Sequence, residues 1–230
     1  WLQFKVNGQT IEAQNFWNGH FTAWWTPPSY GNYTIEILSA NNFGAVGSKI
    51  VNINIVPDAV DVSVDAFKDI WLNPSVSSAT ADAELPSFLG AYDKITATLK
   101  VHRPTGGCGL WDRVASIDAK DKEGNWFQII KYITPYKKAC IHSIDLTDYA
   151  SILQGKVTFR VNCATFDNGY LYDLSFDYSQ GTPPYKYSTV KEVWKDYFPF
   201  GDYANSQPVD TFNYTYPDNA VASKLKLIST

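Results

Sequence analysis

The sequence predicts an all-β protein built from antiparallel β-sandwiches. Apolar and polar residues alternate over most of the chain, while the three- and four-residue spacing of a helix is scarce. The alternating runs are short, and each is bounded by Gly, Pro, Asn or Asp. Aromatic residues make up 16% of the 230 residues, with 8 Trp and 15 Tyr. Rings fit the pleated, half-buried surface of a sheet.

Taken in order, Phe4-Lys5-Val6-Asn7-Gly8-Gln9 reads as a strand entering a hairpin turn. Tyr33–Leu38 and Lys49–Val56 follow as strands, with Trp24-Trp25-Thr26-Pro27-Pro28 ahead of the first and Asn41-Asn42-Phe43-Gly44 turning into the second. Residues 1–57 are similar to part of the bacterial immunoglobulin-like modules attached to secreted carbohydrate-active enzymes. Pro57-Asp58 reads as a junction. Residues 58–182 are long enough for an eight-stranded jelly roll and hold strands at Lys94–Val101, Trp126–Tyr132, Lys156–Val161 and Tyr170–Phe176. Between them, Asp145–Gly155 has an acidic start, a Thr147 or Asp148 cap and a terminal Gly, which predicts a short helical turn. Gly181-Thr182-Pro183-Pro184 reads as a linker. Residues 183–230 read as the first strands of a second jelly roll, including Ser223–Ile228; Val190–Tyr197 has helical spacing but is expected to be extended.

The chain is 45% hydrophobic and 18% charged, against about 25% charged in typical soluble domains, which is enough apolar material for one or two cores. Its net charge is −4 with a pI near 5.3, and no basic stripe appears, which argues against nucleic acid as a partner. No apolar run approaches the ~20 residues of a membrane-spanning helix. A chain that opens on Trp1 and has no Met reads as a mature or clipped product. Three cysteines, Cys108, Cys140 and Cys163, leave two readings open: one bridge with one thiol left over, as in a secreted protein, or three buried thiols. Asn32-Tyr33-Thr34 and Asn213-Tyr214-Thr215 match the glycosylation acceptor pattern and read as turn residues.

The richest segment is Cys108-Gly109-Leu110-Trp111-Asp112-Arg113. It sets a carboxylate between an aromatic ring and a guanidinium, just after the Gly106-Gly107 turn and just before a strand. From these three residues alone, a structural turn is the favoured reading: Asp112 capping amides, Arg113 pairing with it, Trp111 in the core. Three further segments follow: Ile133-Thr134-Pro135-Tyr136, then Ile144 through Gly155, then Gly181 through Ser188. In this order and spacing the four resemble the N-terminal half of the bacterial peptide:N-glycosidase F family, whose catalytic-aspartate motif is Trp-Asp-Arg.

The resemblance implies hydrolysis of the amide joining N-acetylglucosamine to the asparagine side chain of an N-glycosylated protein or glycopeptide, giving a glycosylamine and Asp. Water must be positioned, the carbonyl polarised and the leaving nitrogen protonated, and carboxylates can do this proton work with no metal or cofactor. By resemblance Asp112 is the catalytic acid. Trp111 walls the site and Arg113 orients Asp112 or meets a sugar oxygen, so both are expected at the substrate. Counting back from Gly181, a supporting glutamate of the family falls on Cys163, and a neighbouring tryptophan falls on Thr165. Asp167 lies close enough to substitute as a substrate-contacting acid. The family's Tyr after the triplet is Val114 here, and its second catalytic glutamate lies in a second domain beyond Thr230, against which this chain is expected to pack.

Some family members close a small disulfide loop from the position of Cys108 to one that is Arg103 here. Cys140, four residues after the Ile-Thr-Pro-Tyr segment, is therefore the predicted partner of Cys108, leaving Cys163 free. That bridge would close a loop of about 30 residues and stabilise by roughly 3–4 kcal/mol. Related double jelly rolls bind copper through His and Met. Here His20, His102 and His142 are dispersed and Met is lacking, so no metal is expected. The implied location is secreted, periplasmic or at the bacterial cell surface. The competing expectation is a non-catalytic glycan-binding or adhesion protein on the same scaffold, which Cys163 in place of an acid favours.

Overall fold

The computed structural model describes residues 1–16, 19–55, 59–87, 91–185, 187–193, 204 and 211–228. The chain forms two compact units, Trp1–Asp58 and Ala59–Thr230. The predicted junction at Pro57-Asp58 lies outside the described residues.

The first unit holds β1 (Leu2–Val6), β2 (Gln9–Ile11), β3 (Ala13–Phe16), β4 (His20–Ala23), β5 (Gly31–Ala40) and β6 (Val46–Ile55). β2-β1-β5-β6 is one antiparallel sheet, and β3 pairs with β4. Asn7 (φ 47°) and Gly8 (φ 80°) make the left-handed turn of the predicted β1–β2 hairpin. Asn32 lies inside β5 opposite Asn54, so this sequon is strand and not turn. Among the described residues of this unit Val6 and Tyr33 are the buried apolar ones, and β6 is exposed along most of its length.

The described residues of the second unit form an eight-stranded sandwich. Its strands are β7 (Val62–Leu72), β8 (Ser78–Leu85), β9 (Tyr92–His102), β10 (Val114–Lys120), β11 (Trp126–Ile133), β12 (Cys140–Asp145), β13 (Gly155–Cys163) and β14 (Tyr170–Gln180). The sheet orders β12-β9-β14-β7 and β11-β10-β13-β8 are those of a jelly roll. Alternation sends Ile95, Ala97, Leu99 and Val101 of β9 inward beside Tyr170, Tyr172, Leu174, Phe176 and Tyr178 of β14. Small residues oppose large ones: Ala97 faces Phe176 in one sheet and Ala119 faces Phe159 in the other. Across the core, Phe159 stacks on Phe176 at 5.2 Å. Each such burial contributes about 1.5–3 kcal/mol.

One end of the sandwich is closed by residues 145–155. There Leu146 and Leu153 are fully buried and a 3-10 turn spans Thr147–Tyr149. The predicted cap is replaced by Asp145, whose Oδ1 accepts from the Thr147 amide (2.9 Å) and hydroxyl (2.6 Å). The β9–β10, β11–β12 and β13–β14 loops gather at the opposite end.

Among the described residues of 183–228 no strand forms, and residues 190–193 are not helical. The rest of Val190–Tyr197 lies outside the described residues. In the segment predicted as the strand Ser223–Ile228, Lys224 and Lys226 face Asp148 at 2.8 and 3.6 Å, and Ile228 packs on the core. Leu225 and Leu227 point outward. A strand needs a neighbouring edge to satisfy its amides; this segment is held by side chains instead.

Candidate active site

The segment that carries Asp112 runs from Arg103 to Arg113 between β9 and β10, and it is fixed from behind. The Gly109 amide donates to the Gly169 carbonyl (2.8 Å), the Lys137 amide donates to the Gly109 carbonyl (3.0 Å), and the Leu110 amide donates to Asp167 Oδ2 (2.7 Å). The buried Tyr170 hydroxyl lies 2.5 Å from the Pro135 carbonyl and 3.1 Å from that of Gly109. Asn168 donates to the carbonyls of Thr105 and Gly107. At the exit, Arg113 and Thr134 lock together: the Arg113 amide donates to Thr134 Oγ1 and the Thr134 amide to the Arg113 carbonyl, both at 2.8 Å. Gly109 is required by this packing, because a Cβ there would lie 2.7 Å from Asp167 and 2.9 Å from the Tyr170 ring.

On this rigid base Asp112 is exposed, not buried in a structural pair. Its carboxylate lies beside the Tyr136 hydroxyl and raises the Tyr136 pKa, as an acceptor for the phenol proton and through its charge. Trp111, 58% exposed, meets Tyr136 edge-on at 6.1 Å between ring centroids. Arg113 forms no ion pair with Asp112 among the described residues. Its guanidinium sits 4.8 Å over the Phe166 ring, and its buried Nε has no hydrogen-bond partner among the described residues. The rim around Asp112 is apolar: Leu110, Trp111, Val114, Ile133, Tyr136 and Phe166 are all exposed.

Asp167 is brought to this end of the sandwich, but its oxygens are committed to the backbone. Besides Leu110 it accepts from the Thr165 hydroxyl (2.8 Å) and the Gly169 amide (3.2 Å). Burial pushes its pKa up, yet Thr165, Leu110, Gly169 and the Arg113 charge outweigh that and hold it below the usual carboxylate range. Asp167 is thus an anchor of the Asp112 loop. Tyr170, Asn168 and Thr134 share that task; nothing in the sequence marks the first two, and Thr134 stands in the Ile-Thr-Pro-Tyr segment without an assigned role. Tyr136 stood in a motif without a role.

The predicted Cys108–Cys140 bridge is not formed, and all three cysteines are free thiols. Cys140 Sγ lies instead 3.3 Å from His142 Nε2. Parity and sequence offset say nothing about where two Cβ atoms point, which decides whether a bridge closes. Burial pushes up the thiols of Cys108, Cys140 and Cys163. Cys163, at the position assigned to a family glutamate, is buried in the core.

Among the described residues, one group brings possible metal ligands together: Asp69, His102 and Asp173, within 4.8 Å of one another. Asp173 Oδ1 is already engaged there by His102 Nε2 (3.0 Å) and the Asp69 amide (2.8 Å). The trio therefore ties β7, β9 and β14 together beside the start of the 103–113 loop.

No family model matches the chain. The peptide-N(4)-(N-acetyl-β-D-glucosaminyl)asparagine amidase F of Elizabethkingia miricola is 30% identical over 167 residues, 70% of this chain and 45% of that protein. The solved structure of PNGase F, a glycosylasparaginase from Flavobacterium meningosepticum, matches with a TM-score of 0.54 at 29% identity, covering 59% of this chain and 47% of that one. Recombinant peptide:N-glycanase F matches with a TM-score of 0.52 at 29% identity, over 56% and 45%. The chain spans about half the length of these relatives. Agreement in sequence and in all-β architecture converges on one assignment: the chain belongs to the peptide:N-glycosidase F family.

Proposed function

We propose that this chain supplies the catalytic-aspartate domain of a peptide:N-glycosidase-type amidase that releases N-linked glycans from glycoproteins. The observation that carries the proposal is Asp112: a solvent-facing carboxylate on a loop locked on both sides by backbone hydrogen bonds. In this mechanism Tyr136 holds one carboxylate oxygen and the other activates water or bonds at the scissile amide. Trp111 and Tyr136 offer ring faces and edges to the sugar C–H groups. A fixed carboxylate suits proton work because it requires no reorganisation at the moment of reaction. Residues 183–230 are taken as the entry to a second domain that provides a complementary carboxylate, and a secreted or cell-surface location goes with a glycoprotein substrate.

The test is glycan release from a denatured N-glycoprotein by the natural full-length polypeptide and its Asp112→Asn variant, followed by the mobility of the protein and the Asn-to-Asp mass change at the freed site. Asp112→Asn should lower the rate by about 10²-fold or more. Undiminished release would remove Asp112 from the mechanism. A second reading, a glycan-binding protein without hydrolysis, is favoured by the buried neutral thiol of Cys163 where the family places an acid. Retention of glycoprotein without release by the wild type would select it.

A further inference from the structure

The outer face of the sheet β11-β10-β13-β8 holds an arrangement that the Asp112 site does not use. Alternation points Ser116 and Asp118 of β10, and Arg160 and Asn162 of β13, away from the core that Ile117, Phe159 and Val161 fill. Outward polar side chains on an open sheet normally stand in water. Here Ser116 is only 9% exposed and Asp118 only 5%.

A relay of side-chain hydrogen bonds crosses the strands. Ser78 Oγ donates to Asn162 Oδ1 (2.8 Å), and Asn162 Nδ2 donates to Ser116 Oγ (3.2 Å) and to Asp118 Oδ2 (3.0 Å). Arg160 donates twice to the same Asp118 oxygen, at 3.0 and 2.6 Å, and lays its guanidinium 4.3 Å over the Trp126 ring. Asp118 Oδ1 is buried without a partner among the described residues. Beside the relay lies an open cavity of about 300 Å³. Ser78, Ser116 and Asn162 line it, Gln128 and Lys131 stand on its β11 side, and Val114 marks the end nearest the Asp112 loop.

We propose that this groove is a binding site for a short neutral saccharide. Its volume lies at the lower end of the range for small-molecule sites. Its valences suit hydroxyl groups, which donate and accept at once. Within the relay the Ser116 proton and spare lone pairs of Ser78 and Asn162 are uncommitted. Gln128 adds an amide of both senses, and Lys131 has no carboxylate partner among the described residues. Arg160 already neutralises Asp118, so Lys131 is the single uncompensated charge. A phosphate or sulfate calls for several converging cations; a polyol does not. The relay also holds the polar wall rigid before any ligand arrives, which lowers the ordering cost of binding. None of this depends on the chemistry at Asp112.

The test is a titration of the ¹⁵N-labelled chain with α-mannotriose and with N-acetyllactosamine, followed by NMR. One of these sugars should shift the side-chain amides of Asn162 and Gln128 and the backbone amides of Ser78 and Ser116 with a single saturable dissociation constant. Gln128→Ala and Ser116→Ala should each weaken that constant about fivefold, one net hydrogen bond's worth. Asp112→Asn should leave it unchanged, which separates this proposal from the amidase. Shifts confined to Trp111, Asp112 and Tyr136, or no shift with either sugar, would overturn it. So would saturation by inorganic phosphate that Lys131→Gln abolishes. Protection of Lys131 from acetylation in the full-length polypeptide without sugar would also overturn it, because another segment would then fill the groove.

Discussion

Asp167→Ala tests whether the Asp112 loop is held in place from behind. The carboxylate accepts from the Leu110 amide, the Thr165 hydroxyl and the Gly169 amide at 2.7, 2.8 and 3.2 Å. Bonds to a charged acceptor contribute about 1.5–3 kcal/mol and ordinary ones about 1. Leu110 is half exposed, so water replaces part of what is lost there. Low-end values for the two short contacts and less for the long one put the loss at about 3 kcal/mol. Urea unfolding at neutral pH should show this as a lower midpoint with an unchanged slope. Asp167→Asn keeps an acceptor for Thr165 and Gly169 but turns a donor toward the Leu110 amide, so its loss should be about 2 kcal/mol.

The pH dependence has a definite sign. Burial raises the Asp167 pKa, but Thr165, the Leu110 and Gly169 amides and Arg113 together lower it below its ordinary value. A carboxyl depressed by folding stabilises fully above its unfolded pKa, near 3.9, and loses that contribution as pH falls through the lower folded value. The stability gap between wild type and Asp167→Asn should therefore be flat near neutrality and shrink below about pH 4. A gap under about 0.5 kcal/mol at neutral pH, or one that persists undiminished near pH 2, would refute the anchoring role.

Gly169→Ala should destabilise by more than about 3 kcal/mol or prevent folding, because its Cβ would lie 1.9 Å from the Leu72 carbonyl oxygen at a φ of +68°; a thermal midpoint within about 2 °C of wild type would contradict that geometry. Asp118→Ala strands Arg160, whose side chain is 33% exposed, without its buried partner, so a loss of about 3 kcal/mol is expected in denaturant unfolding. Tyr136→Phe removes the exposed hydroxyl beside Asp112; stability should stay within about 0.5 kcal/mol of wild type while glycan release by the full-length polypeptide falls about tenfold, with kcat carrying the change.

The parts of this molecule that its sequence discloses are those set by short-range rules. Alternation in Lys94–Val101 and Tyr170–Phe176 marks strands because one face of each must be buried, and both occur, slightly longer, as β9 and β14. The same alternation in Ser223–Ile228 yields no strand, since period two names neither the buried face nor a partner edge. There Lys226 sits 4.8 Å over the Tyr149 ring while Leu225 and Leu227 face out, the reverse of an apolar-in pattern. The candidate site divides in the same way. Trp111 and Asp112 are adjacent in the chain and carry a motif, so they are visible at once. The residues just ahead of them, Gly107, Gly109 and Leu110, are held by Asn168, Tyr170 and Asp167, 57 to 61 residues further along. Only the jelly-roll topology brings the β13–β14 loop against the β9–β10 loop. The density of turn-forming residues in Asp167-Asn168-Gly169 announces a loop, but a loop that caps another loop looks in sequence like one that faces water. What distinguishes them is where the backbone amides of residues 107–113 find their acceptors, and that accounting becomes possible only after the strands are paired. A catalytic carboxylate can therefore be nominated from its neighbours in the chain, whereas the groups that hold it still must be sought at the loops whose strands flank its own.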